Sequence, residues 1–118
     1  MNLEQAKAVC RALPGAVEDV KWGGDIVFSV GLKMFAVASG AGDPPGISFK
    51  VEEQRFLELT DRPGIMPAPY LARAKWVRVS GADALDDAEA AALLLRSYQL
   101  VFAKLTKKLQ HDIGGPQA

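Results

Sequence analysis

The residues of this chain that could do bond-making chemistry are few. His111 is the single histidine and Cys10 the single cysteine among 118 residues. Catalysis by a Ser-His-Asp or Cys-His arrangement needs an imidazole steered by a third group beside the nucleophile. His111 falls at the frayed end of the last helical pattern, a poor place to be steered. Cys10 lies on an apolar helical stripe, where a thiol is ordinarily a buried packing group. A zinc site wants several Cys/His ligands, and only these two exist. The run from Gly40 to Gly46 is glycine-rich, but it lacks the Lys-Ser/Thr of a phosphate loop and opens no helix, so it reads as a hairpin tip. Glu18, Asp19 and Asp25 are carboxylates near one hairpin, too few converging acids for an octahedral oxygen site. They read as solvated charges that discourage strand pairing. The expectation is a non-enzymatic protein with no metal and no cofactor.

Cations remain. Formal net charge is zero, so a basic surface has to come from segregation of charge. Residues 1–61 hold six bases and nine acids. From Arg62 to Ala82 there are four bases (Arg62, Arg73, Lys75, Arg78) and no acid. Asp83, Asp86, Asp87 and Glu89 follow, and the stretch from Arg96 to Asp112 is basic again.

The elements that must position these groups are legible from spacing. Met1 to Leu13 reads as an amphipathic helix capped by Asn2, with Gln5 in the capping-box position. Leu3, Ala6, Val9, Cys10 and Leu13 form its apolar stripe. Val17 to Trp22, Ile26 to Val30, Lys33 to Ser39 and Gly46 to Val51 are short β-rich runs parted by turn residues, as in an antiparallel meander. In the last of them Ile47, Phe49 and Val51 alternate with Ser48 and Lys50, so one face is expected buried and the other polar. Glu52 to Asp61 reads as a short helix. Ile65 to Tyr70, with Pro67 and Pro69, is expected to be irregular. Ala74 to Ser80 reads as a fifth strand. Asp86 caps a final helix expected to run unbroken to about Gln110, with Glu89 in the capping-box position and Leu94, Tyr98, Val101, Leu105 and Leu109 as its stripe.

This is an α+β domain, residues 1–113, with a tail at 114–118. A chain of this length can bury roughly two thirds of its unfolded surface, enough to fold without disulfide or metal. No apolar run approaches the roughly 20 residues of a membrane span. The start of the chain lacks the basic and apolar regions of a signal peptide, so a cytoplasmic location is expected.

On this framework Val77 and Val79 point inward, and Trp76 and Arg78 outward with Lys50; Trp22 and Lys33 could join them. An aromatic among cations suits DNA, since cations neutralise phosphates and a ring can stack on a base. The competing reading makes Trp76 a core or dimer residue. Along an unbroken final helix Arg96, Lys104, Lys107, Lys108 and His111 would share one face, although bases in last turns also answer the helix dipole.

Several blocks resemble the MmcQ/YjbR family: Leu13-Pro14-Gly15-Ala16-Val17-Glu18-Asp19, Val27-Phe28-Ser29-Val30-Gly31, Lys33-Met34-Phe35-Ala36 and Ser48-Phe49-Lys50-Val51. Pro69-Tyr70-Leu71, Lys75-Trp76-Val77, Ser97-Tyr98 and Ala103-Lys104-Leu105-Thr106-Lys107-Lys108 continue the likeness in order. The resemblance implies a frataxin/CyaY-like fold, an antiparallel sheet with N- and C-terminal helices on one face. It also implies DNA binding through β-hairpins and the open sheet face. Many family members have histidine before the tryptophan, where this chain has Lys75, so a cationic role there is kept and an imidazole role is not. The expected nucleic-acid site is Lys33, Lys50, Arg73, Lys75 and Arg78 on phosphates, with Trp22, Tyr70 and Trp76 packing or stacking. A protein-interaction or homodimer module, or a small-molecule binder using the same face, are the alternatives.

Overall fold

Asn2 starts the first helix as its spacing predicts. Its side chain accepts a hydrogen bond from the Gln5 N–H at 2.8 Å, while Gln5 Oε1 accepts from the Asn2 N–H at 2.9 Å. The fold is taken from a computed structural model that describes residues 2–39, 45–69, 71–80 and 84–114. Tyr70, most of the Gly40–Gly46 loop and the tail beyond Gly114 lie outside the described residues.

Helix α1 (Leu3–Arg11) leads into strands β1 (Val17–Lys21), β2 (Asp25–Val30), β3 (Lys33–Ser39) and β4 (Gly46–Lys50). Then come α2 (Glu53–Thr60), β5 (Ile65–Pro67), a 3-10 turn (Ala72–Ala74), β6 (Trp76–Ser80), α3 (Asp87–Phe102) and α4 (Lys107–Ile113). The strands form one antiparallel sheet in the order β1-β2-β3-β4-β6-β5. The helices pack on one side of it. Phe28, Phe35, Phe49 and Val77 from the sheet meet Ala6, Cys10, Leu59, Leu94 and Tyr98 from the helices in one buried core. Burial pushes the Cys10 thiol up to about 12, which keeps it protonated and inert at neutral pH.

A bulge explains the unbroken apolar run at the start of β3. Phe28 pairs with Ala36 and Ser29 with Met34, so Phe35 is the extra residue. Phe35 and Ala36 thereby both reach the helix-side core, while Met34 and Val37 face the other way.

Three expectations about individual elements are corrected. Ile65–Pro67 is a strand, not an irregular segment, because it pairs only with β6 and a proline costs no ladder bond on an outer edge. The last helix is two helices. After Phe102 the N–H groups of Lys104 and Leu105 turn back to Val101 and Phe102 carbonyls, and Thr106 becomes extended and caps α4 at the Leu109 N–H. The break lets Leu105 bury itself beside Gly31, and Gln110 Nε2 donates to the freed Leu105 carbonyl at 2.9 Å. The third concerns Glu89, which forms no capping box. Asp86 does accept from its N–H, but its carboxylate grips Arg62 at 2.8 and 2.9 Å.

The sheet's second face is not open and polar. Val27, Val37, Ala68 and Trp76 form a second core there, with Met34 and Leu71 packed on it. The cover is the segment after β5, which doubles back so that the Ala68 N–H donates to the Trp76 carbonyl and the Trp76 N–H to that of Leu71.

Candidate nucleic-acid interface

Antiparallel pairing decides which charges meet. The start of β3, the end of β4 and the start of β6 lie side by side at one end of the sheet, because Lys50 pairs with Trp76 and β3 neighbours β4. Adjacent strands run about 4.8 Å apart. Lys33 and Lys50 therefore sit on neighbouring strands at that end, and Lys75 stands just before β6, closing the 3-10 turn that carries Arg73.

The helices add a cation to the same end. A Cβ on Gly31 would lie 2.7 Å from the Leu105 methyls, which seats the α3–α4 junction against the β2–β3 turn. Lys104 belongs to that junction and is exposed. Its charge reaches Lys50, whose ammonium is pulled below the ordinary lysine value first by burial and then by Lys104. Each of these like charges disfavours the other, and an anion at this end of the sheet would relieve both.

Each side chain is positioned by a local cause. The Lys50 N–H donates to Ser97 Oγ at 2.9 Å, and the buried Ser97 hydroxyl donates to the Phe35 carbonyl at 2.7 Å, so α3 clamps β3 and β4 together. Lys50 Nζ donates to the Ala74 carbonyl at 2.6 Å, fixing the 3-10 turn. Lys75 adopts a left-handed conformation at φ 65° to end that turn, and its ammonium lies 5.2 Å from the Phe56 ring centre, a cation–π contact. Lys33 and Arg73 are exposed. Leu32, in the β2–β3 turn just before Lys33, is 99% exposed at φ 70°.

Other expected site residues lie elsewhere. Trp76 is on the face opposite the core helices, as its alternation with Val77 predicts, but is only 4% exposed and cannot stack on a base. Lys33 pairs with Val30, a helix-side residue, so it leaves the sheet on the helix side and not the far one. Arg78 is on the far face, with its guanidinium over Gly46 and so directed away from the lysines. Trp22 is 64% exposed, but in the β1–β2 turn at the opposite end of the sheet. Tyr70 is outside the described residues.

The expected cationic face of the last helix dissolves with the helix break. Arg96 instead donates to Glu52 at 3.1 Å. Lys104 is the member that joins the sheet's basic end, and Thr106, a capping residue type two positions later, was the signal for it. Among the described residues, no three His, Cys, Asp or Glu side chains are placed to share a metal ion. Glu18 is held by Arg11 at 2.7 and 3.0 Å. No described helix is long and apolar enough to cross a membrane.

Comparison with known proteins fits this architecture. The model of the YjbR family matches residues 11–100. A crystal structure of a Deinococcus radiodurans protein with the domain DUF419 superposes with a TM-score of 0.86 at 28% identity, covering 99% of this chain and 91% of the other. A Pseudomonas syringae protein superposes at 0.71 with 25% identity, covering 86% of this chain and 99% of its own. No curated protein matches the chain.

Proposed function

This chain belongs to the YjbR family, and on that premise we propose that it is a non-enzymatic domain that binds DNA by its phosphate backbone. The contact is the basic end of the sheet. Lys33, Arg73 and Lys104 are the exposed contacts there, and Lys50 and Lys75 stand behind them as partly fixed charges. The observation that carries this reading is the gathering of Lys33, Lys50, Arg73, Lys75 and Lys104, from separate elements, at one end of the sheet. A phosphate between such cations is favourable on Coulombic grounds and releases counterions. Four of the five cations expected from the sequence support it by their shared position; Arg78 and the aromatic residues do not. Base reading has no support in this surface, because phosphate contacts position a duplex and carry no sequence information. The family resemblance also underlies our assignment of the fold to the frataxin/CyaY-like group, with which the helices on one side of a meander agree.

The test is fluorescence anisotropy with labelled duplexes of unrelated sequence. Lys33→Glu and Lys104→Glu should each weaken binding severalfold and equally on every duplex. Trp22→Ala, at the other end of the sheet, should leave affinity unchanged. The reverse pattern would place binding elsewhere and defeat the proposal.

A further inference from the structure

The two edges of the sheet are built differently. One is β5, three residues long and closed by Pro67, a protected edge. The other is β1, in which all five residues are exposed. Val17 and Val20 are 56% and 68% exposed, and no described residue outside β2 pairs with this strand. A fully exposed edge strand is a template for another strand, and its charges decide which strand it admits.

The charges on β1 select what that strand is. Asp19 pairs with Val27 of the second core, so Asp19 and Lys21 face the side away from the helices, and Glu18 and Val20 face the helix side. Residues opposite one another in an antiparallel ladder share a face. If a copy of β1 pairs with itself, a twofold axis at any one residue keeps the faces matched, and one at Glu18 opposes Glu18 to Glu18. A twofold axis at Asp19 opposes Asp19 to Asp19, and one at Lys21 opposes Lys21 to Lys21. An axis through Val20 opposes Asp19 to Lys21 twice and Val20 to Val20. That register alone joins unlike charges and covers the exposed valine.

We propose that β1 is the interface between two copies of this chain, paired antiparallel about a twofold axis through Val20 to make one continuous sheet. The interface is isologous, each patch complementary to itself, as closed dimers require. Charges that repel other strands in any other register admit this one, so the edge is selective and not unguarded. Glu18 is held by Arg11 on the helix side and in this register falls opposite Trp22 of the second copy, not opposite a like charge.

Sedimentation of the whole protein across concentration, about 10 μM to 1 mM, tests it. The wild-type chain should dimerise reversibly. Asp19→Lys and Lys21→Asp should each raise the dimer dissociation constant about tenfold or more, since each opposes like charges at two sites. An equimolar mixture of the two variants should dimerise again, because lysines of one chain then meet aspartates of the other, and the double exchange in a single chain should do the same. A wild-type monomer throughout, a dimer indifferent to both exchanges, or a mixture that stays monomeric would each overturn the assignment. Recovery in the mixture also shows that the single variants are folded.

Discussion

Trp76 shows how far a single residue can be read. Strict alternation with Val77 and Val79 places it on the correct face, and the structure keeps it there. What alternation cannot say is whether a face is covered. The cover comes from Ala68 and Leu71, in a proline-broken segment with no periodicity of its own. The indole is therefore packing, and Trp76→Ala should destabilise the protein by about 3–5 kcal/mol, the usual cost of emptying a buried aromatic site. Urea unfolding followed by circular dichroism measures this. Affinity for single-stranded DNA, taken where the variant is still folded, should not change. A selective loss on single strands with stability intact would mean that the ring is a stacking group after all. Lys50 has the opposite lesson. Its place beside Lys104 needs a chain reversal more than fifty residues later, and no local pattern around Lys50 encodes that.

At the scale of elements, the four-stranded meander and its turns were legible nearly to the residue, whereas the proline-bearing strand β5 was not. Gly31-Leu32 turns with φ 56° and 70°, the left-handed pair that a two-residue hairpin demands. The final helix was not, because its apolar stripe runs on through Leu105 and Leu109 as if the helix were continuous. Tertiary packing breaks it: Leu105 docks beside Gly31, and Thr106 takes over as a cap. Thr106→Ala should thus cost about 1 kcal/mol, within the usual range for loss of a cap. Thermal unfolding reads this as a lowered Tm. In an unbroken helix the same change would be neutral or slightly stabilising, since alanine is the better helix former.

At the scale of the whole molecule, three ion pairs among the described residues tie elements together. Glu18 with Arg11 joins β1 to α1, Glu52 with Arg96 joins the start of α2 to α3, and Glu89 with Arg62 joins α3 to the turn before β5. In each the arginine hydrogen bond holds the carboxyl below its ordinary value of 4.5. A carboxyl depressed in the folded state adds stability that is fully present above its unfolded value and is lost as pH falls through the folded one. The urea midpoint should therefore be level from neutral pH down to about pH 5 and decline below about 4.5. The pairs are exposed, so the decline should be shallow and weaker in high salt. A midpoint that rises on acidification through this range would contradict the pairing.

Charge segregation was visible along the chain, but only the fold shows that Lys33, Lys50, Arg73, Lys75 and Lys104 gather at one end of the sheet. Duplex DNA affinity as a function of salt tests that gathering most directly. The logarithm of the binding constant should fall linearly with the logarithm of salt, with a slope of about −3 to −5 for that many phosphate contacts. Lys33→Glu and Lys104→Glu should each flatten the slope by about one. Affinity indifferent to salt, or a slope that neither variant alters, would contradict phosphate binding at this end of the molecule.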